Sequence, residues 1–160
     1  LCEQFGPKRN QTKAFPDIAM SNAFIGNMLR LELLSRHGLC RQLFDESIDY
    51  NLYMADRTGT LWENVHPGAS CNHGFASHMV HSLYRDVLGL KRIDSVRRNV
   101  QVRIADQPLE WCEGHVPAPD GGVTMRWWRE GEKTLYRLSV PAGYRIEVEN
   151  LTGKELVARP

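Results

Sequence analysis

"VLGLKRIDSVRRNVQVRI", residues 87–104, is where the chain changes texture. Ahead of it, apolar residues recur at three- and four-residue intervals, the period of a helix. Beyond it they alternate one by one, the period of a strand. Gly89 stands where a helix would stop, and Val100, Val102 and Ile104 alternate with Gln101 and Arg103. A chain that runs helices first and strands afterwards builds separate layers or domains, not a βαβ sheet. The expected division is residues 1–92 for helices and residues 93–160 for an antiparallel β-sandwich.

On the N-terminal side, "FASHMVHSLYRDVLGL" places Phe75, Met79, Leu83 and Val87 four residues apart and predicts a helix ending at Gly89. An earlier helix is predicted from Arg41 to Arg57 on Leu43, Phe44, Ile48, Leu52, Tyr53 and Ala55, closed by Gly59. The first begins at a cap on Ser21 or Asn22, carries Phe24, Ile25, Met28, Leu29, Leu31, Leu33 and Leu34, and stops at Gly38. Its apolar set is too broad for one face, as in a helix packed from two sides. The first two helices form a hairpin. The opening "LCEQFGPKRNQTKAFPD", with Pro7 and Pro16, reads as an extended lead-in.

On the C-terminal side, "VQVRI", "GGVTMRWW", "KTLYRLSV" and "YRIEVEN" alternate apolar with polar residues between the turn segments "PAPDGG", "REGEK" and "PAG". Trp127 and Trp128 are neighbours on a strand and point to opposite faces, one to the core and one to the rim. With Trp111 they raise the prospect of an aromatic carbohydrate-binding face.

Composition excludes several classes. Lys and Arg total 20 against 19 Asp and Glu, so no basic face of the kind that binds nucleic acid is implied. Arg30, Glu32 and Arg36 interrupt the longest apolar stretch, which falls short of the run of about 20 residues that spans a bilayer. A chain of 160 residues can bury about 70% of its extended surface, enough for a real core. It opens at Leu1 without Met or signal pattern, as expected of a chain processed or cut from a longer one. Cys2, Cys40, Cys71 and Cys112 form no CxxC pair and are expected to be buried thiols rather than zinc ligands, with disulfides left open.

Between the second and third helices lies "GTLWENVHPGASCNHG", residues 59–74, an unusual composition for a connection. Glu63 is a carboxylate placed just beyond a helix end, where a loop can present it to a cleft. Trp62 can stack on a sugar ring or fill the core at the helix junction. Asn72, His73 and His66 can hydrogen-bond hydroxyls, and Asn72 can equally cap the third helix. His78 and His81 share a helix face three residues apart, without a third metal ligand nearby. Cys71 two residues before His73 has no geometric warrant as a nucleophile. No cofactor or metal is expected.

Taken together, "RTGTLWENVHPGASCNHGFASHMVHSLYRDVLGL" resembles the closing part of the catalytic barrel of the α-L-rhamnosidases, inverting glycoside hydrolases. Shared features are a TxWE motif, an Asn-His pair and a helix ending in a Tyr-Arg-Asp turn and a glycine. The segment "VQVRIADQPLEWCEGHVPAPDGGVTMRWWREGEKTLYRLSVPAGYRIEVEN" resembles that family's C-terminal β-sandwich, so the likeness covers about residues 18–150. It implies the last helices of an (α/α)6 barrel over residues 1–92, followed by the sandwich. It also implies Glu63 as general base, His73 against the bound sugar, and Trp62 and Asn72 as binding neighbours. The segment between Glu63 and Asn72 is shorter than in some relatives, which bears on sugar preference.

An inverting reaction needs a second carboxyl about 6.5–9.5 Å away as general acid. In the family it comes from an earlier part of the barrel, absent from this chain. Three helices cannot close a barrel of six hairpins, so the chain is expected to be an inactive C-terminal fragment whose partners are rhamnosides and the rest of the barrel. An export compartment is favoured over the cytoplasm. The competing expectations are a non-catalytic carbohydrate-binding or packing module and a related (α/α)6 hydrolase of other specificity.

Overall fold

The computed structural model describes residues 15–18, 25–63 and 68–160, and these form two compact units, Leu1–Val80 and His81–Pro160. The expected cap at Ser21 or Asn22, Phe24, His66 and Cys2 lie outside the described residues.

In the first unit, helix α1 (Ile25–Arg36) ends where Gly38 was expected to stop it. Gly38 takes a φ of 69°, its amide reaches Ser35 O at 3.0 Å and the Leu39 amide reaches Leu34 O at 2.9 Å. This double bond around a left-handed residue satisfies carbonyls that the helix end would orphan. Helix α2 (Cys40–Arg57) follows at once. Among its described side chains Cys40, Leu43, Ser47 and Met54 are buried, so the predicted stripe holds at Leu43 but not at Ile48, Leu52 and Tyr53, which are exposed. The packing partners decide which stripe is covered, and Leu31 and Leu34 of α1 meet Leu43. Across the hairpin Arg30 clamps Glu46 with both fork nitrogens, at 2.9 and 2.7 Å.

The third helical run is not one α-helix. It starts as a 3₁₀ turn (Gly74–Ser77), passes through α3 (His78–Ser82) and widens into a π turn (Leu83–Leu88). Consequently the predicted stripe fails in part. Met79 and Val87 are buried, whereas Phe75 and Leu83 are exposed. The unit boundary falls within this run, between Val80 and His81, whereas the sequence pattern changes near Ile93.

In the second unit the widened turn leaves three consecutive residues, Asp86, Val87 and Leu88, buried. The Gly89 amide closes it on Tyr84 O at 3.1 Å. Gly89 has a φ of 97°, and a Cβ there would sit 2.8 Å from Arg103 O, so only glycine lets the strand pass. Seven strands follow: β1 (Leu90–Asp94), β2 (Asn99–Ala105), β3 (Trp111–Ala118), β4 (Gly121–Glu130), β5 (Lys133–Ser139), β6 (Arg145–Leu151) and β7 (Glu155–Ala158). They form two sheets, ordered β1-β2-β6 and β3-β4-β5-β7. Leu90, Val100, Val102 and Ile104 of the first share one core with Val123, Met125 and Trp127 of the second, the arrangement of a β-sandwich.

The expected all-antiparallel pairing is corrected: β2 pairs β6, and β5 pairs β7, in parallel. Each parallel strand pairs with one that is not its neighbour in sequence, and alternation is the same for either direction, so the pattern could not tell them apart.

Candidate functional site

The loop following α2 is held by its own polar residues. Gly59, at a φ of 65°, turns the chain out of the helix, and its amide closes on Ala55 O at 3.1 Å. Residues 61–63 then run beside residues 70–73: the His73 amide donates to Leu61 O at 2.7 Å and the Glu63 amide to Ser70 O at 2.8 Å. The Thr60 hydroxyl adds a bond to Cys71 O. This clip sets Glu63 against Ser70 and His73 against Leu61.

Trp62 is the anchor of that clip. It is buried, its indole N–H donates to Thr58 Oγ1 at 2.7 Å, and Tyr53 meets it edge-on with ring centres 5.5 Å apart. Of the two sequence readings, the helix-junction core residue describes this environment. Glu63 is half-buried, and its Oε2 accepts the Ser70 amide at 3.4 Å. A backbone N–H pointed at a carboxylate orients it.

His73 is half-buried, with its ring 5.7 Å from that of Phe75. Asn72 is exposed and does not cap the following helical turn. His73 holds the N-cap position there, without a side-chain cap bond. The Asn72 amide instead faces Ser70 Oγ at 3.4 Å. So one loop carries Trp62, Glu63, Asn72 and His73, with Trp62 buried, Glu63 and His73 half-buried and Asn72 exposed.

The other candidates separate. His78 lies 3.2 Å from Phe75 O and 3.5 Å from the Asn27 amide, whereas His81 lies 3.3 Å from Arg85. Among the described residues no group of three or more His, Cys, Asp or Glu could hold a metal ion. The expectation of buried thiols holds for Cys40 and, half-way, for Cys112, whose thiol burial pushes up, but Cys71 is exposed. Sequence reading missed Thr58, Thr60 and Ser70. Their signal was available: hydroxyl residues flanking a tryptophan and a glutamate just past a helix end are well placed to satisfy loop backbone.

Among solved structures, the chain matches the crystal structure of a GH78 family rhamnosidase of Bacillus sp. GL1, with a TM-score of 0.72 and 22% identity. The chain shares its fold with a segment of that rhamnosidase. The match covers 83% of this chain and 15% of the rhamnosidase chain. No family profile and no curated protein sequence matches. No described helix is long and apolar enough to cross a membrane.

Proposed function

We propose that the chain is the C-terminal part of an α-L-rhamnosidase-like glycoside hydrolase, comprising the final helices of an (α/α)6 catalytic barrel and a β-sandwich. The observation that carries this reading is the fold shared over 83% of the chain with a segment of a GH78 rhamnosidase. The exposed apolar residues of the helices support it, since Ile25, Leu29, Leu52 and Phe75 are the surface that further barrel helices would cover.

In this reading Glu63 is the general base. Its carboxylate takes a proton from the water that attacks the anomeric carbon on the face opposite the leaving oxygen, which inverts the configuration. Trp62, fixed by Thr58 and Tyr53, sets the position of Glu63, and His73 and Asn72 offer hydrogen bonds to sugar hydroxyls. The acid that protonates the leaving oxygen comes from the remainder of the barrel, so the 160-residue chain alone turns over no substrate.

Glu63→Gln in the complete parent enzyme tests the assignment. Loss of the general base lowers kcat on an aryl rhamnoside by about 10²–10⁴-fold while binding of rhamnose persists. An unchanged kcat, or measurable rhamnose release by the short chain, ends the proposal.

A further inference from the structure

The outer face of the four-stranded sheet carries side chains that the sandwich does not use. Cys112, Trp127 and Tyr136 stand in one cross-strand row, with Trp127 in the core, so their neighbours Trp111 and Trp128, themselves paired, face the other way. Trp111 is 58% exposed, an unusual position for the largest apolar side chain unless something flat covers it. The Arg126 guanidinium lies between the two indoles, 5.5 Å from the Trp111 ring and 5.9 Å from that of Trp128.

The charges beside these rings are unbalanced. Arg126 stands opposite Glu113 on one side, with an ion pair of 3.2 Å, and on the other opposite Arg137, whose Nε donates to Pro160 O and leaves the rest of its guanidinium fork for a ligand. Like charges facing each other across strands repel. The row keeps one net positive charge next to an exposed indole. One step along, His115 occupies the space above Gly122, where a Cβ would fall 2.0 Å from the ring, and bonds Thr124 Oγ1 at 3.0 Å. Glycine at 122 therefore lets this ring lie over the sheet. Successive rows on one face are about 7 Å apart, which spreads indole, guanidinium and imidazole over a few pyranose lengths.

We infer that this face binds an acidic oligosaccharide: the apolar face of a pyranose stacks on Trp111, and a uronate carboxylate is taken by Arg126 and Arg137. Guanidinium forks match a carboxylate in geometry as well as charge. A single-stranded nucleic acid would also want aromatic and cationic groups, but it needs a basic groove, and here Glu113 lies inside the row and the whole chain carries a net charge of only +1. The site is independent of Glu63.

Native electrophoresis of the 160-residue chain through gels containing polygalacturonate tests this. Retardation is expected, abolished in Trp111→Ala and weakened about tenfold or more in Arg126→Gln, while Glu132→Gln, an exposed turn substitution away from the row, is retarded like the parent sequence. Far-ultraviolet dichroism checks that the exposed substitutions leave the fold intact. No retardation, undiminished retardation of Trp111→Ala, equal retardation by neutral hydroxyethylcellulose, or preference for a single-stranded oligonucleotide would each overturn the inference.

Discussion

The strands close a continuous core and leave only a few apolar side chains outside it, Trp111 and the β6 residues Ile146, Val148 and Leu151, whereas the helices expose many of theirs. In the sandwich unit Val100, Val102, Ile104, Val123, Met125 and Trp127 are all buried, and even its charged core group is satisfied: Asp86 meets Arg85 at 2.8 Å and also Arg103. In the helical unit Ile25, Met28, Leu29, Leu52 and Phe75 face solvent. Two units of similar length thus differ in completeness. A closed core is a property of the sandwich by itself, while the helices leave an open apolar surface.

The largest expected effect tests the closed side of that contrast. Asp86→Ala removes the carboxylate that the buried Arg103 and the half-buried Arg85 share, and leaves a cation in the core without its anion. Breaking a buried pair this way costs about 3–5 kcal/mol. Urea unfolding of the chain, followed at the tryptophans, reads it. A loss below about 1 kcal/mol would mean the sandwich tolerates an open charge and is less complete than its packing implies.

An intermediate effect is expected in the loop. Thr58→Val keeps the shape but takes away the acceptor for the Trp62 indole N–H, now 2.7 Å from Thr58 Oγ1. An unmade bond to a buried donor costs about 1–3 kcal/mol, and Thr58→Ser, which keeps the hydroxyl, should restore most of it. An unchanged stability in Thr58→Val with a loss in Thr58→Ser would show that the methyl, not the hydroxyl, seats Trp62.

The contrast also explains what could be read in advance. Hairpins such as β3–β4 and β4–β5 were legible because Asp120-Gly121 and Gly131 supply local turn chemistry between alternating runs. The parallel strands β6 and β7 depend on partners far away in sequence, so alternation revealed a strand but not its direction. In the helices, Gly38 and Gly59 marked ends correctly because a left-handed residue acts locally. The buried face of α2 was legible at Leu43 but not beyond it, because it depends on which neighbours are present. The residues of the candidate site were legible as a composition. Their fixation by Thr58, Thr60 and Ser70 required knowing that residues 61–63 lie along residues 70–73.

The smallest effect in the short chain is the most discriminating between the two units. Leu29 on α1 is 60% exposed, so Leu29→Gln should shift the stability of the 160-residue chain by no more than about 0.5 kcal/mol. In the complete parent enzyme proposed above, the same side chain lies against further helices, and a buried amide without a partner costs about 1–3 kcal/mol. One substitution measured in two contexts therefore weighs the covering directly. Equal changes in both would mean that Leu29 faces water in the parent as well, and that the open helical face is an ordinary surface rather than an interior one.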